Sequence, residues 1–344
     1  MKIVADSSVP FVEGIFEPYS EVVYKEGASI TPEDVRDADA LLLRTRTRCD
    51  ARLLEGSSVK MISIAAIGMD NVDHQYCDSH SIFVQNASGA VAGGVMDYVF
   101  SALYGTASRR SIPLSGLTFG VIGCGSSGSA VEKMARQLGF KLMLCDPPRA
   151  RAEGEGQFCS LDELLSESDI ISLHVPLNES TRRMADASFF AKMKVGAFFI
   201  NTAHGAIVCE NDLIAAIPKL GPVVIDAWDN EPDINTRLMD MVDIATPHIA
   251  GYSYQGKLNS TTAAVRAIAR FFGFKELFEY FAKPDVEGLA ATRVDVTGKS
   301  QGEIASIFQY NYPIFTDDFL FRMDPGGFER IRAGYRYRRE FYID

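Results

Sequence analysis

The sequence predicts an α/β protein built on parallel sheets, with a smaller α+β segment appended after them. Three observations carry that expectation. At 344 residues the chain exceeds what one hydrophobic core normally organises, so it should divide into two or three domains. Short, nearly continuous apolar runs alternate with helical patterns through most of its length, as they do when helices cover both faces of a parallel sheet. One glycine-rich turn, set between such a run and such a helix, has the spacing of a dinucleotide-binding loop.

In the first third, strands are expected at 2–5, 40–43 and 61–66, with loop residues after the first. A helix should start near Thr31, whose hydroxyl can cap it, with Pro32 at its first position. Residues 87–108 read as a long helix following the turn at Ser88 and Gly89. The middle of the chain repeats the alternation more clearly. Strands are expected at 118–122, 141–145, 170–174, 197–201, 223–226 and 244–246, and helices at 127–138, 161–167, 186–192 and 210–217. This is the pattern of a doubly wound nucleotide-binding domain. A further helix is expected at 256–272. Beyond about residue 275 the chain turns rich in Phe, Tyr and charge, and its last stretch carries Arg330, Arg332, Arg336, Arg338 and Arg339.

Composition narrows the function. Hydrophobic residues make up 47% and charged residues 23%, an ordinary globular balance. No stretch has the length of uncharged apolar residues that a membrane helix requires. The opening MKIVADSSVP has an acid at Asp6 and lacks a signal-peptide core, so a cytoplasmic location is expected. The formal net charge of -11 argues against nucleic acid as a partner. The six cysteines form no CxxC pair and no zinc-like spacing, and no metal is expected.

The strongest local signal is Gly123-x-Gly125-x-x-Gly128, with Ser126 and Ser127 opening the helix behind it. The first glycine makes the tight turn, the second admits a pyrophosphate, and the third lets helix and strand pack closely. The helix terminus then offers N–H groups and a positive dipole end to the anion. Asp146 ends the next strand. Its carboxylate can accept from both ribose hydroxyls of an adenosine and would repel a 2′-phosphate, so NAD is favoured over NADP.

A dinucleotide that takes hydride from an alcohol needs beside it a base for the hydroxyl proton and a partner that orients the base, and an anionic substrate needs a cation as well. Of the five histidines (74, 80, 174, 204 and 248), His248 stands at the carboxyl end of an expected strand, where ligands bind in open α/β sheets. Glu231 follows another strand end and can pair with it.

These residues, in the order glycine loop, Asp146, His174-Val-Pro-Leu177, Ile200-Asn-Thr-Ala-His-Gly205, Asp226-Ala-Trp228, Glu231-Pro232 and Pro247-His248-Ile-Ala-Gly251, resemble the D-isomer-specific 2-hydroxyacid dehydrogenases. Arg44-Thr45-Arg46-Thr47, Cys145-Asp-Pro-Pro-Arg-Ala150, Tyr252-Ser253 with Gly256-Lys257, and Tyr335-Arg-Tyr-Arg-Arg-Glu-Phe341 extend the resemblance to one branch. That branch oxidises 4-phospho-D-erythronate to the 2-oxo acid in pyridoxal phosphate biosynthesis.

The resemblance implies two doubly wound parallel-sheet domains flanking a cleft, plus a small C-terminal α+β dimerisation domain. The implied boundaries are 1–92 with 250–274 for substrate, 93–249 for the dinucleotide, and 275–344 for a homodimer contact. It implies His248 as acid/base paired to Glu231. Val175, Thr202, Asp226 and Gly251 join the glycine loop and Asp146 around NAD, and Thr45, Ala66 and Tyr252 contact substrate.

Three positions depart from the family pattern. His204 stands where the family has a carboxylate-gripping Arg, Val91 where it has Asn, and a usual Thr is absent from Ala65-Ala66-Ile67-Gly68. Losing a bidentate cation should weaken transition-state binding by about 2–4 kcal/mol. The same chemistry on another 2-hydroxy acid, or a catalytically weakened NAD-binding paralogue, therefore stands as the alternative. Arg44, Arg46 and Arg48 read equally as a substrate-phosphate site and as a solvated loop face.

Overall fold

The computed structural model describes residues 1–69, 71–283 and 290–344, apart from the side chain of Glu155. Their contacts divide into two units, Met1–Val91 with Tyr254–Ala290 and Ala92–Ser253 with Ala291–Asp344.

The first unit is a five-stranded parallel sheet of β1 (Lys2–Asp6), β2 (Glu21–Lys25), β3 (Ala40–Leu43), β4 (Met61–Ile64) and β5 (Phe83–Asn86). Its order is β2-β1-β3-β4-β5. Side chains alternate faces along each strand. Ile3, Ala5, Leu42 and Met61 bury against Ala264, Val265 and Ile268 of the helix Tyr254–Phe272. Val4, Leu41, Leu43, Ile62 and Ile64 bury on the other face with Val35, Leu53, Leu54 and Cys77. Thr31 and Asp34 form a capping box at the helix Pro32–Val35. Two strands escape the sequence pattern. β2 and β5 are the edges of the sheet, and their side chains are only partly buried, so neither carries the continuous apolar run of β3 or β4.

The second unit holds β6 (Thr118–Ile122), β7 (Lys141–Cys145), β8 (Ile170–Leu173), β9 (Phe198–Asn201), β10 (Val223–Ile225) and β11 (Ile244–Ala245). They form one parallel sheet in the order β11-β10-β9-β8-β6-β7. The strand order reverses between β6 and β8, and the loops leaving those two strands diverge there, which makes a ligand crevice. The long helix runs Ala92–Arg109, starting later than expected because Gly89, at φ +82°, keeps the preceding turn out of helical geometry. The helices Pro147–Glu153 and Thr236–Met241 are additional to the sequence expectation.

The segment 275–344, expected as a third domain, is not a unit of its own: its start packs with the first unit and 291–344 with the second. Its aromatic residues explain why. Phe308, on the helix Gln301–Asn311, stacks on Phe100 and Tyr104, and Phe321 and Phe328 bury beside Trp228. On the helix Ile314–Met323, Asp318 accepts the Ala245 N–H of edge strand β11 at 2.7 Å. A short parallel pair, β12 (Thr292–Val294) with β13 (Phe341–Ile343), closes the chain. No described helix is long and apolar enough to cross a membrane.

Candidate active site

The glycine loop is built as its spacing requires. Gly123 follows β6 at φ +87°, and a Cβ there would press on the backbone of His174 and Val175, at 2.8 and 2.7 Å. A Cβ on Gly128 would run into the Gly123 carbonyl, whereas one on Gly125 would meet only open space. The room for a pyrophosphate therefore lies at Gly125, in front of Ser126 and Ser127 in the first turn of the helix Ser126–Gln137.

Asp146 follows β7. Its carboxylate accepts the Cys124 N–H at 2.8 Å and the Arg149 N–H at 3.0 Å, while Arg149 Nη1 donates to the Cys124 carbonyl at 2.7 Å. Both polar groups of the Cys124 peptide are thereby fixed. Each Asp146 oxygen still has a lone pair for a ribose hydroxyl. Thr202, past β9, is buried with its hydroxyl oxygen unpaired. Open space at Gly125, an available carboxylate and an orphaned hydroxyl all at the carboxyl edge of one sheet fit a dinucleotide.

His174 lines the same edge. Its Nε2 lies 2.8 Å from Ser172 Oγ, and burial pulls its pKa down to about 3, so the ring is neutral.

His248 sits three residues past the end of β11. Its Nδ1 is 2.9 Å from both Oε1 and Oε2 of Glu231. The backbone at His248 is left-handed, φ +56°, a conformation that costs a non-glycine residue about 1 kcal/mol or more. Asp226 holds it there. The Asp226 carbonyl accepts the His248 N–H at 2.8 Å, and its carboxylate accepts the N–H groups of Ile249 and Ala250 at 2.8 and 2.9 Å. Thr246 Oγ1 donates to the same carboxylate at 2.6 Å. Asp226 is fully buried, and its carboxylate is spent on the turn that presents His248.

Glu231 is steadied in turn by the Trp228 N–H at 2.9 Å. Burial opposes the charged imidazole, but the Glu231 hydrogen bond and the charges of Glu231 and Asp226 outweigh it and raise the His248 pKa, with Arg332 pushing back. Burial likewise opposes the Glu231 carboxylate, yet His248 holds it below its ordinary value.

His204 stands beside this pair, its ring 6.3 Å from that of His248 and nearly perpendicular to it. Asn201 ties the two loops by donating to the carbonyls of His204 and Ala227, both at 3.3 Å. Gly205 has no room for a Cβ against the Trp228–Asp229 peptide, and that close approach sets His204 by the catalytic loop.

Gly251 and Tyr252 continue the turn after His248. The C-terminal segment meets Tyr252: the rings of Tyr335 and Tyr337 each lie 6.0 Å away, and the Arg332 guanidinium carbon 5.7 Å. Arg332 thereby meets the turn that follows His248, which its place in the sequence does not announce. Its only sequence signal was membership of the terminal arginine cluster.

Within the first unit, Thr45 follows β3 and is exposed, between Arg44 and Arg46. Among the described residues neither of those arginines forms an ion pair, whereas Arg48 pairs with Asp50 at 3.0 Å. Ala66 follows β4, and its carbonyl accepts the Ala87 N–H at 3.0 Å.

Residues 98–250 match the family model described as "D-isomer specific 2-hydroxyacid dehydrogenase, NAD binding domain". An erythronate-4-phosphate dehydrogenase from Bacteroides fragilis is 40% identical over 99% of this chain and 97% of its own length. The chain belongs to the D-isomer-specific 2-hydroxyacid dehydrogenase family. A second erythronate-4-phosphate dehydrogenase of that family, from Escherichia coli, is 35% identical over 99% of this chain and 92% of the relative. Among solved structures, NAD-bound 3-phosphoglycerate dehydrogenase of Entamoeba histolytica matches with a TM-score of 0.67 and 27% identity, over 83% of this chain and 99% of that one. As a 2-hydroxyacid dehydrogenase, the chain has NAD as its cofactor, on the unit that carries the glycine loop.

Proposed function

We propose that this chain oxidises 4-phospho-D-erythronate to the corresponding 2-oxo acid. The observation that carries the reading is the His248–Glu231 pair, 2.9 Å apart and set at the carboxyl edge of the sheet whose β6 opens the glycine loop. Bound NAD supplies the hydride acceptor. Gly125, Ser126 and Ser127 would seat its pyrophosphate, with Gly123 and Gly128 shaping the turn, and Asp146 would take the adenosine ribose. Val175, Thr202 and Gly251 would line the rest of its path.

The neutral imidazole of His248 takes the proton of the substrate hydroxyl as the hydride leaves the same carbon. Glu231 fixes the tautomer, leaving Nε2 to accept, and its charge stabilises the imidazolium that forms. His204 offers the carboxylate a weaker contact than a guanidinium would. Thr45, Ala66 and Tyr252 are assigned to substrate, and Arg44 and Arg46 to its phosphate, since both lack an ion partner among the described residues. The test is NADH formation across a panel of 2-hydroxy acids. Turnover of 4-phosphoerythronate well above that of lactate or glycerate supports the reading, and background rates across the panel refute it. The histidine at 204 favours one second reading, a weakened NAD-binding paralogue, which predicts NADH binding without turnover.

We further assign a homodimer through the C-terminal segment. Tyr310, Phe319, Leu320 and Met323 are exposed on its two longer helices, an apolar area suited to a second copy. Light scattering during gel filtration decides this. A cytoplasmic location agrees with six cysteines that are all free.

A further inference from the structure

We propose that Arg332 holds the substrate carboxylate, so that the C-terminal segment supplies the cation of the reacting centre. This rests on the 2-hydroxy acid reading above. In such a substrate the carboxylate is bonded to the same carbon as the hydroxyl that meets His248. Its cation must therefore act within the immediate surroundings of that imidazole.

Arg332, on the helix Phe328–Ala333, meets this condition: its charge acts on both Glu231 and His248. It is also uncommitted. Among the described residues its buried Nε has no hydrogen-bond partner, and its only ion contact is Nη1 to Glu329 Oε1 at 3.5 Å, a long approach to an exposed carboxylate. Its neighbours in the tail differ. Arg338 donates to Asp317 at 2.6 Å and to the Tyr335 hydroxyl at 2.8 Å, and Arg330 pairs with Asp324. A buried donor left unmade is costly and rare enough in native proteins to call for a role. The guanidinium is also held in place, with its carbon 5.7 Å from the ring centre of Tyr252 and 5.5 Å from that of Phe328. Tyr252 belongs to the turn that follows His248, so the planar fork is fixed against the segment that presents the base before any substrate arrives.

The experiment compares wild type, Arg332→Lys and Arg332→Met. It measures NADH affinity, binding of oxalate (a planar carboxylate mimic of a 2-oxo acid) to the enzyme–NADH complex, and steady-state oxidation of 4-phosphoerythronate against pH. Arg332→Met should weaken oxalate binding and raise KM by roughly 10- to 100-fold, with a smaller change in kcat. Arg332→Lys should recover part of the loss, and NADH affinity should stay within about twofold in both.

The groups facing the His248 ring are Glu231, Asp226, His204 and Arg332. Removing the one fixed cation among them should move the acid limb of kcat/KM to higher pH. Oxalate binding and KM unchanged in Arg332→Met overturn the proposal. So does a parallel loss of NADH affinity in both variants, which would mark Arg332 as structural. So does a wild-type complex that fails to bind oxalate. If wild type binds oxalate but does not oxidise 4-phosphoerythronate, the substrate reading falls, and an oxalate loss confined to Arg332→Met still supports the carboxylate site.

Discussion

Both carboxylate oxygens of Glu231 lie 2.9 Å from Nδ1 of His248. A ring nitrogen shared so evenly is a donor, which leaves Nε2 to exchange the substrate proton.

That pairing sets the pH dependence. The His248 pKa is raised: burial opposes the charge, and Glu231 and Asp226 outweigh it. Oxidation needs the neutral ring, so its kcat/KM should fall as pH drops through the raised pKa. Reduction of the 2-oxo acid needs the charged ring and should fall as pH rises through it. Glu231→Gln removes the carboxylate charge, so both limbs should move to lower pH. Reduction at neutral pH should lose roughly 10- to 100-fold, the worth of a hydrogen bond to a charged group. Rate profiles in both directions check this, and unmoved limbs would count against the pairing.

His204→Arg places a planar fork next to His248 and should raise kcat/KM on the 2-hydroxy acid by about tenfold. The gain should be larger in an Arg332→Met background, where the added guanidinium has no competitor for the same carboxylate. Initial rates on the four combinations give the coupling directly.

Two glycine variants separate folding from cofactor binding. Gly125→Ala places a methyl group in open space, so melting should change by less than about 1 kcal/mol, while NADH affinity falls by roughly tenfold because that space receives the pyrophosphate. Gly128→Ala drives a methyl into the Gly123 carbonyl and should cost on the order of 2–3 kcal/mol of stability as well. Fluorescence titration and thermal melts distinguish the two.

Asp97 lies buried on the helix Ala92–Arg109, with one carboxylate oxygen accepting the Phe341 N–H at 3.1 Å and the other unpaired. Burial raises its pKa well above the carboxylate range. A group with a raised folded-state pKa favours the fold most below its unfolded pKa and contributes less as pH climbs toward the folded value. Asp97→Asn keeps an acceptor for Phe341 and removes the charge. It should therefore stabilise the protein at neutral pH by about 1 kcal/mol or more and flatten the pH dependence of melting.

Much of this arrangement can be read from short-range patterns. The central strands are apolar on both faces and the glycine loop is a local device, so both stand out in the sequence. His248 and Glu231 each follow a strand end, and parallel topology brings such ends to one edge. The edge strands β2 and β5 were hidden because their side chains are half in water. The role of Asp226 was hidden because the N–H groups that donate to it lie past another strand, at Ile249 and Ala250. The terminal arginines looked alike, and only their ion partners distinguish Arg338 from Arg332. The packing of the tail was hidden for the same kind of reason: Phe308 finds its partners in Phe100 and Tyr104, about two hundred residues earlier in the chain.

The last strand, Phe341–Ile343, is spliced into the interior by Asp97 at one end and by Gln137, which donates to the Ile343 carbonyl at 3.2 Å, at the other. Removing residues 341–343 would therefore unpair Asp97 and Gln137 in the unit that carries the glycine loop, and a variant that lacks them should lose stability there before any chemistry is touched.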